Sequence, residues 1–214
     1  MRWYYRRTIE IMRYEGLHYF LLQAMIRCIA PIGQLGLKAL CQKDLTRPLK
    51  EIRAKVDITV CQATEVDIEQ LTALVVKRWG PKARKNYDIL RDDIHRELRR
   101  GSICFVGKIG TEIIHYNWIF FHSVEPLTGV GPCIQLNEDE ALCDDAFTEE
   151  AWRGKAIHTA IQYQMLLFLK KAGYRRIYTP VGVNNKSSQK THRRLGWGFT
   201  GTMLYFIPRG AKKA

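Results

Sequence analysis

The last 64 residues of this 214-residue chain contain no Asp and no Glu, against 13 Lys and Arg. Solubility alone is served by mixed charge, so an acid-free stretch of that length asks for an anionic partner. The chain also lacks any Cys-x-x-Cys pair. Cys28, Cys41, Cys61, Cys104, Cys133 and Cys143 stand apart, and none has a His at metal-ligand spacing. That pattern speaks against zinc, and scattered cysteines behave as small core hydrophobes in a reducing compartment. No uncharged apolar run reaches the roughly 18 to 20 residues needed to span a bilayer. The stretch 17–40 is apolar, but Arg27, Pro31 and Gly33 interrupt it. No cleavable secretion signal is expected either, because Glu10, Arg13 and Glu15 break the run behind the basic start. These absences lead to the expectation of a cytoplasmic protein. Internal repeats and low-complexity segments are lacking too. With 46% hydrophobic and 26% charged residues, the composition is that of an ordinary globular domain, not of a disordered tail.

What is present is unevenly distributed. Residues 1–55 hold 11 basic and 4 acidic side chains, whereas residues 56–150 hold 10 basic and 17 acidic ones. The chain therefore has a basic head, an acidic middle and a wholly basic last third. A negative co-substrate at one end and a cationic acceptor at the middle would match that division.

The head, 1–55, reads as a basic amphipathic helical extension of two helices. Ile9, Met12, Leu17 and Phe20 form an apolar face flanked by Trp, Tyr and Arg. Such a segment suits a membrane surface, here through residues 1–50 at the inner face. A helical cap on the main domain, or a contact between two copies in a homodimer, is the other reading.

The main domain, 56–214, begins with alternating Val56, Ile58 and Val60, a half-buried strand. Ile68, Leu71, Leu74 and Val75 predict a helix over 65–79, stopped by Pro81. Leu90, Ile94 and Leu98 predict a second over 86–99. Residues 102–108 and 111–123 predict a hairpin about Ile109 and Gly110. A loop with Pro126, Gly129, Gly131 and Pro132 leads to a strand over 140–148 and a long helix over 154–172. A strand over 177–183 follows, then a short helix over 186–195 and a last strand over 198–207. The expectation is an α/β (α+β) fold, with a mixed, mostly antiparallel sheet of six or seven strands and helices on both faces.

Chemistry concentrates at two places. Between the 140–148 strand and the long helix runs Phe147-Thr148-Glu149-Glu150-Ala151-Trp152-Arg153-Gly154-Lys155-Ala156-Ile157-His158. The first amides of a helix have no partner inside it and bind phosphate readily. Gly154 and Ala156 keep side chains away, and Arg153 and Lys155 add charge. The second place is Asn185-Lys186-Ser187-Ser188, followed by His192 and Leu195-Gly196-Trp197.

Together these segments resemble the GNAT superfamily of N-acetyltransferases. The family's pyrophosphate loop reads Arg/Gln-x-x-Gly-x-Gly/Ala at the start of a long helix. About thirty residues on it shows Asn-x-x-Ala/Ser, a Tyr seven residues past that Asn, and Leu-Gly-Phe. Arg153 opens the loop here, Asn185 and Ser188 match the second motif, and Leu195-Gly196-Trp197 matches the third. The order of elements from Val56 onward fits as well, so the resemblance covers about three-quarters of the chain. Three positions depart from it: Ala156 where Gly is expected, His158 where a small residue is expected, and His192 in place of the Tyr.

The resemblance implies acetyl-CoA as co-substrate, with no metal, and direct attack of a primary amine on the thioester. Arg153, Gly154, Lys155, Ala156, Ile157 and His158 would hold the pyrophosphate. A backbone amide near Phe147–Glu149 would polarise the thioester carbonyl, and strands parted beside it would admit the pantetheine. Pro180 fits such a split, since it donates nothing to a ladder. Asn185 and Ser188 would orient pantetheine or the helix turn, and His192 would protonate the thiolate. Asp144 and Asp145 are the candidate bases; alternation puts them on opposite faces of their strand, and which one serves stays open.

Three other readings share some of these features. A GNAT-fold enzyme could move a longer acyl group from acyl-CoA or acyl carrier protein at a membrane surface. The fold could persist without catalysis. A basic nucleic-acid- or membrane-binding module would also carry a net charge of +13, but the acidic middle and the lack of a docking motif speak against nucleic acid. The head, from Arg6 to Leu17, resembles leaders on GNAT proteins of bacterial surface-polysaccharide synthesis, which implies an amino-sugar acceptor.

Overall fold

The strands are β1 (Gly33–Asp44), β2 (Thr59–Gln62), β3 (Ile103–Ile109), β4 (Glu112–Phe120), β5 (Glu140–Thr148), β6 (Arg176–Gly182) and β7 (Gly198–Pro208). The helices are α1 (Ile68–Trp79), α2 (Pro81–Arg84), α3 (Tyr87–Arg99), α4 (Ile157–Lys171) and α5 (Lys186–Arg194). This computed structural model describes Pro31, residues 33–121 and residues 134–208. The head helices expected before residue 31, their membrane contact and the Pro126–Pro132 loop lie outside the described residues.

The seven strands form one sheet in the order β2-β3-β4-β5-β6-β1-β7. Only β5 and β6 run parallel; every other neighbouring pair is antiparallel. The expected mixed, mostly antiparallel sheet is what the chain forms. Helices α1 and α3 cover one face, burying Leu71, Leu74, Val75 and Ile94 on Cys104, Val106, Tyr116, Trp118 and Leu142. Helix α4 covers the other, with Ile157, Ile161, Met165, Leu166 and Leu169 packed on Phe105, Ile114, Ile119, Cys143 and Ile177. Because both faces are covered, β4 is buried from Ile113 to Phe120 and shows no polar alternation.

One expectation fails. Residues 33–44, read in the sequence as part of the helical head, are a strand. They lie between β6 and β7, pairing Lys38–Asp44 with Arg176–Gly182 on one side and Gly33–Gln42 with Gly198–Pro208 on the other. Sheet membership begins at Gly33, not Val56. The partners lie well over a hundred residues away in sequence, from Asp44 with Arg176 to Gly33 with Pro208, so no local pattern announces them. From β1 the chain crosses the α4 side of the sheet, where Leu45 is buried and Leu49, Ile52, Ala54 and Val56 pack on the core. The Lys55 amide there donates to the Lys155 carbonyl at 2.9 Å, tying this crossing strap to the loop before α4.

A split sheet and an open helix start form the candidate active site

The ladder between β5 and β6 is short. It joins Glu140, Ala141 and Leu142 to Arg176, Ile177 and Tyr178 and goes no further, although both strands continue. Glu140, 3% exposed, holds the closed end. Its carboxylate accepts from the Asn137 amide and from the Tyr178 hydroxyl at 2.8 Å, and Arg176 stands 3.4 Å away. Burial raises its pKa, but these donors and the cation outweigh burial and leave it below the usual range.

Beyond Leu142 and Tyr178 the strands part. The Val183 amide bonds the Leu37 carbonyl on β1, and alternation back along β6 aims the backbone of residue 180 toward β5. That residue is Pro180, which has no amide hydrogen to offer. The gap thus carries no stranded donor at that point. On the other wall, the Glu149 amide bonds the Ile114 carbonyl at 2.9 Å. Phe147 pairs with Tyr116 in the same phase, so its amide too points at β4. Of the three residues expected to aim an amide at the thioester, only Thr148 faces the gap.

At the wide end of the split lies the loop 149–156. Helix α4 starts at Ile157, later than the Gly154 expected from sequence. Gly154 has φ 79° and Ala156, the N-cap, has φ 58°. Two left-handed residues with one between them turn the backbone into a cradle of outward amides. Among the described residues, no acceptor meets the amides from Gly154 to Thr159. Ala at φ 58° carries a strain of about 1 kcal/mol that Gly would not, which explains the usual Gly at this position. Arg153 is anchored by its Nε to the Thr148 carbonyl at 3.3 Å and lies over the Phe147 ring, and Lys155 lies over the Trp152 ring. The start of α4 is therefore open to solvent, with two cations beside it. That donor set fits a pyrophosphate, the group the resemblance implies.

The two aspartates depart from alternation. A register shift between Tyr116 and Trp118 sets two residues of β5 against Asn117, and Asp145 takes φ 53°. This bulge turns both carboxylates to cations. Asp144 Oδ2 lies 3.8 Å from Lys38 Nζ, and Asp145 pairs with Arg78, which also donates to the Tyr116 hydroxyl. Burial raises the Asp145 pKa, partly offset by Arg78. Glu149 pairs with Lys77 at 2.5 Å. Among the described residues, Asp144, Asp145 and Glu149 of the acidic middle are thus each paired with a cation beside the split.

Three of the six histidines, His115, His158 and His192, cluster beneath the surface. His158 turns inward from α4, its ring 5.3 Å from His115 and 6.3 Å from His192. Burial, with His192 adding, pushes the His158 pKa down to about 3. His192, 3% exposed, has both nitrogens engaged. Nδ1 meets the Ser188 carbonyl at 2.7 Å, so it carries the hydrogen, and Nε2 then accepts from Gln162 at 3.1 Å. Burial lowers its pKa. A neutral imidazole whose one proton is given to a backbone carbonyl has none for a departing thiolate. The acid role expected of His192 does not follow from this geometry; the ring ties α5 to α4. Asn185 caps α5, its Oδ1 accepting from the Ser188 amide at 3.0 Å, so the helix turn is the part it orients. Sequence reading missed Lys38, Arg78 and His115, whose partners come from distant segments.

No protein-family model matches the chain, and no curated protein sequence matches it. Solved structures do. An N-acetyltransferase from Staphylococcus aureus Mu50 superimposes with a TM-score of 0.54 at 14% identity, over 72% of this chain and 98% of that one. A GNAT-family acetyltransferase from Colwellia psychrerythraea gives 0.58 at 12%, over 90% of this chain and 62% of that one. A predicted acetyltransferase from Clostridium acetobutylicum, solved with acetyl-CoA, gives 0.52 at 16%, over 67% and 92%. The chain has the GNAT N-acetyltransferase fold.

Proposed function

We propose that the protein transfers an acetyl group from acetyl-CoA to a primary amine. The observation that carries this is the parting of β5 from β6 beyond Leu142 and Tyr178, with the amides of Gly154 to Thr159, unpartnered among the described residues, at its wide end. Those amides, Arg153 and Lys155 would hold the pyrophosphate. The pantetheine arm would lie in the gap, where Thr148 offers an amide. A depression of about 690 Å³ on α5, lined by Lys186, Gln189, Lys190, Arg193 and Arg194, adds cations suited to a polyanionic nucleotide. The fold shared with a protein solved with acetyl-CoA supports the same reading.

The acceptor amine must lose its proton before it attacks. Asp144 is the better placed of the two candidates, because Asp145 is committed to Arg78. The departing thiolate would take up its proton from solvent, since the His192 hydrogen is given to the Ser188 carbonyl. An amino-sugar acceptor, and a membrane surface as its setting, rest on the sequence of the head.

Calorimetric titration with acetyl-CoA tests the reading. Binding with a Kd of about 1–100 µM is expected, weakened about tenfold by Arg153→Ala. Thiol release with amino-sugars and polyamines then selects the acceptor. A folded protein that binds neither CoA nor acetyl-CoA would end this proposal.

A further inference from the structure

Strand β1 sends a primary amine across the split, just beyond its closed end. Strand β1 is not next to β5; β6 lies between them. Lys38 nevertheless reaches Asp144, Nζ to Oδ2 at 3.8 Å. Its ladder partner on β6 is Gly182, so no side chain stands at that position. Asp144 lies two residues beyond Leu142, the last residue of β5 joined to β6. The Lys38 side chain therefore crosses the gap where it is open. Both side chains lie on the face that α1 covers. Asp144 pairs with Trp118, and Lys38 shares its face with Tyr178 through alternation along β6; Trp118 and Tyr178 both belong to the α1-side cluster. The two side chains are 28% and 27% exposed, so both are reached by solvent.

We propose that Lys38 is an acetylation site of the protein itself, modified from acetyl-CoA bound in the split. This rests on the function proposed above. The Lys38 ammonium gives a proton to Asp144, and the freed nitrogen pair attacks the thioester carbonyl. A C–N bond forms, the C–S bond breaks, and its electron pair leaves on sulfur as CoA thiolate. That thiolate takes up the proton from Asp144 or from solvent. The products are Nε-acetyl-Lys38 and CoA. No other reactant is required, and an amine held beside its base in the site gains the advantage of intramolecular attack. The amide formed carries no charge, so Asp144 loses its cation and becomes available to the ammonium of an external acceptor. Lys38 thus occupies the place of the acceptor amine until it is acetylated or displaced.

Peptide mass spectrometry on the full chain, sampled over time with acetyl-CoA, reads the outcome. Lys38 is expected to be acetylated at least about tenfold faster than the exposed Lys50 and Lys55. The rate should not change on dilution of the protein, and Asp144→Asn should slow it by about tenfold or more. CoA titration runs alongside on each protein. If CoA binds but Lys38 is modified no faster than Lys50 and Lys55, or at a rate that rises with protein concentration, this inference is overturned and the transferase reading stands. If CoA does not bind, the transferase reading itself has failed.

Discussion

The rings of His115 and His158 lie 5.3 Å apart in a space that holds neither as a cation. Burial drives the His115 pKa well below 6.5 and that of His158 to about 3, and it lowers that of His192 as well. In the unfolded chain all three titrate near 6.5. A depressed folded pKa means stability that is present above the unfolded value and lost as pH falls toward the folded one. Each histidine then costs about 1.4 kcal/mol per pH unit below about pH 6.5 until its folded pKa is reached. Urea unfolding between about pH 7 and pH 4 should show this decline, and His158→Phe should make it shallower. A flat profile would contradict the burial of these rings.

Ala156 holds a left-handed backbone, φ 58°, at the N-cap of α4. Ala156→Gly relieves strain but loosens the unfolded chain, so its net effect on stability should be within about 1 kcal/mol. Ala156→Val places a β-branched side chain in a conformation it rarely adopts. It should destabilise by about 2 kcal/mol and weaken CoA binding at least tenfold. Thermal melting and CoA titration on the pair separate strain from binding. Equal affinity in both variants would show that this backbone does not meet the ligand.

Through Gln162 and the Ser188 carbonyl, His192 ties α5 to α4. His192→Gln should lower stability by about 2 kcal/mol, since Gln162 and the Ser188 carbonyl lose a buried partner. The turnover number should stay within about threefold and its pH profile should not move. A fall of about a hundredfold or more in kcat without loss of stability would restore the acid role.

Gly107 faces the fully buried Ile161. A Cβ added at 107 would come within 2.6 Å of Ile161 Cδ1 and 3.5 Å of His115 Cβ. Gly107→Ala should cost about 1–3 kcal/mol by overpacking. Ile161→Val removes the clashing atom, so the double variant should be more stable than the sum of the single effects implies. Additive costs would place the strain elsewhere.

Much of the molecule could be read from residues alone, and the reasons are local. Ile68, Leu71, Leu74 and Val75 recur at helical spacing and are the buried face of α1. The strand expected over 140–148 is β5, and Asn185 orients the helix turn, one of the two roles the resemblance implied for it. Periodicity, caps and turns act over a few residues, so they leave a trace in the sequence. The candidate cofactor loop was legible for the same reason, since a helix start is a local event.

Amino-acid order alone determined most of the run of strands and helices after Val56, as well as the concentration of positive charge in the last third. The first of those strands, though, begins at Thr59 and not at Val56, and the short helix Pro81–Arg84 was not expected. Tertiary structure alone decided that residues 33–44 join the sheet, that a bulge turns Asp144 and Asp145 to Lys38 and Arg78, and that His192 is enclosed by Gln162 and Ser188. The first two outcomes depend on partners far along the chain; for His192 the Ser188 carbonyl is one helical turn away, and Gln162 on α4 is the distant partner. Hydrogen bonds and burial decide which face a strand shows and how deeply a ring is enclosed, and neither is set until those distant segments meet.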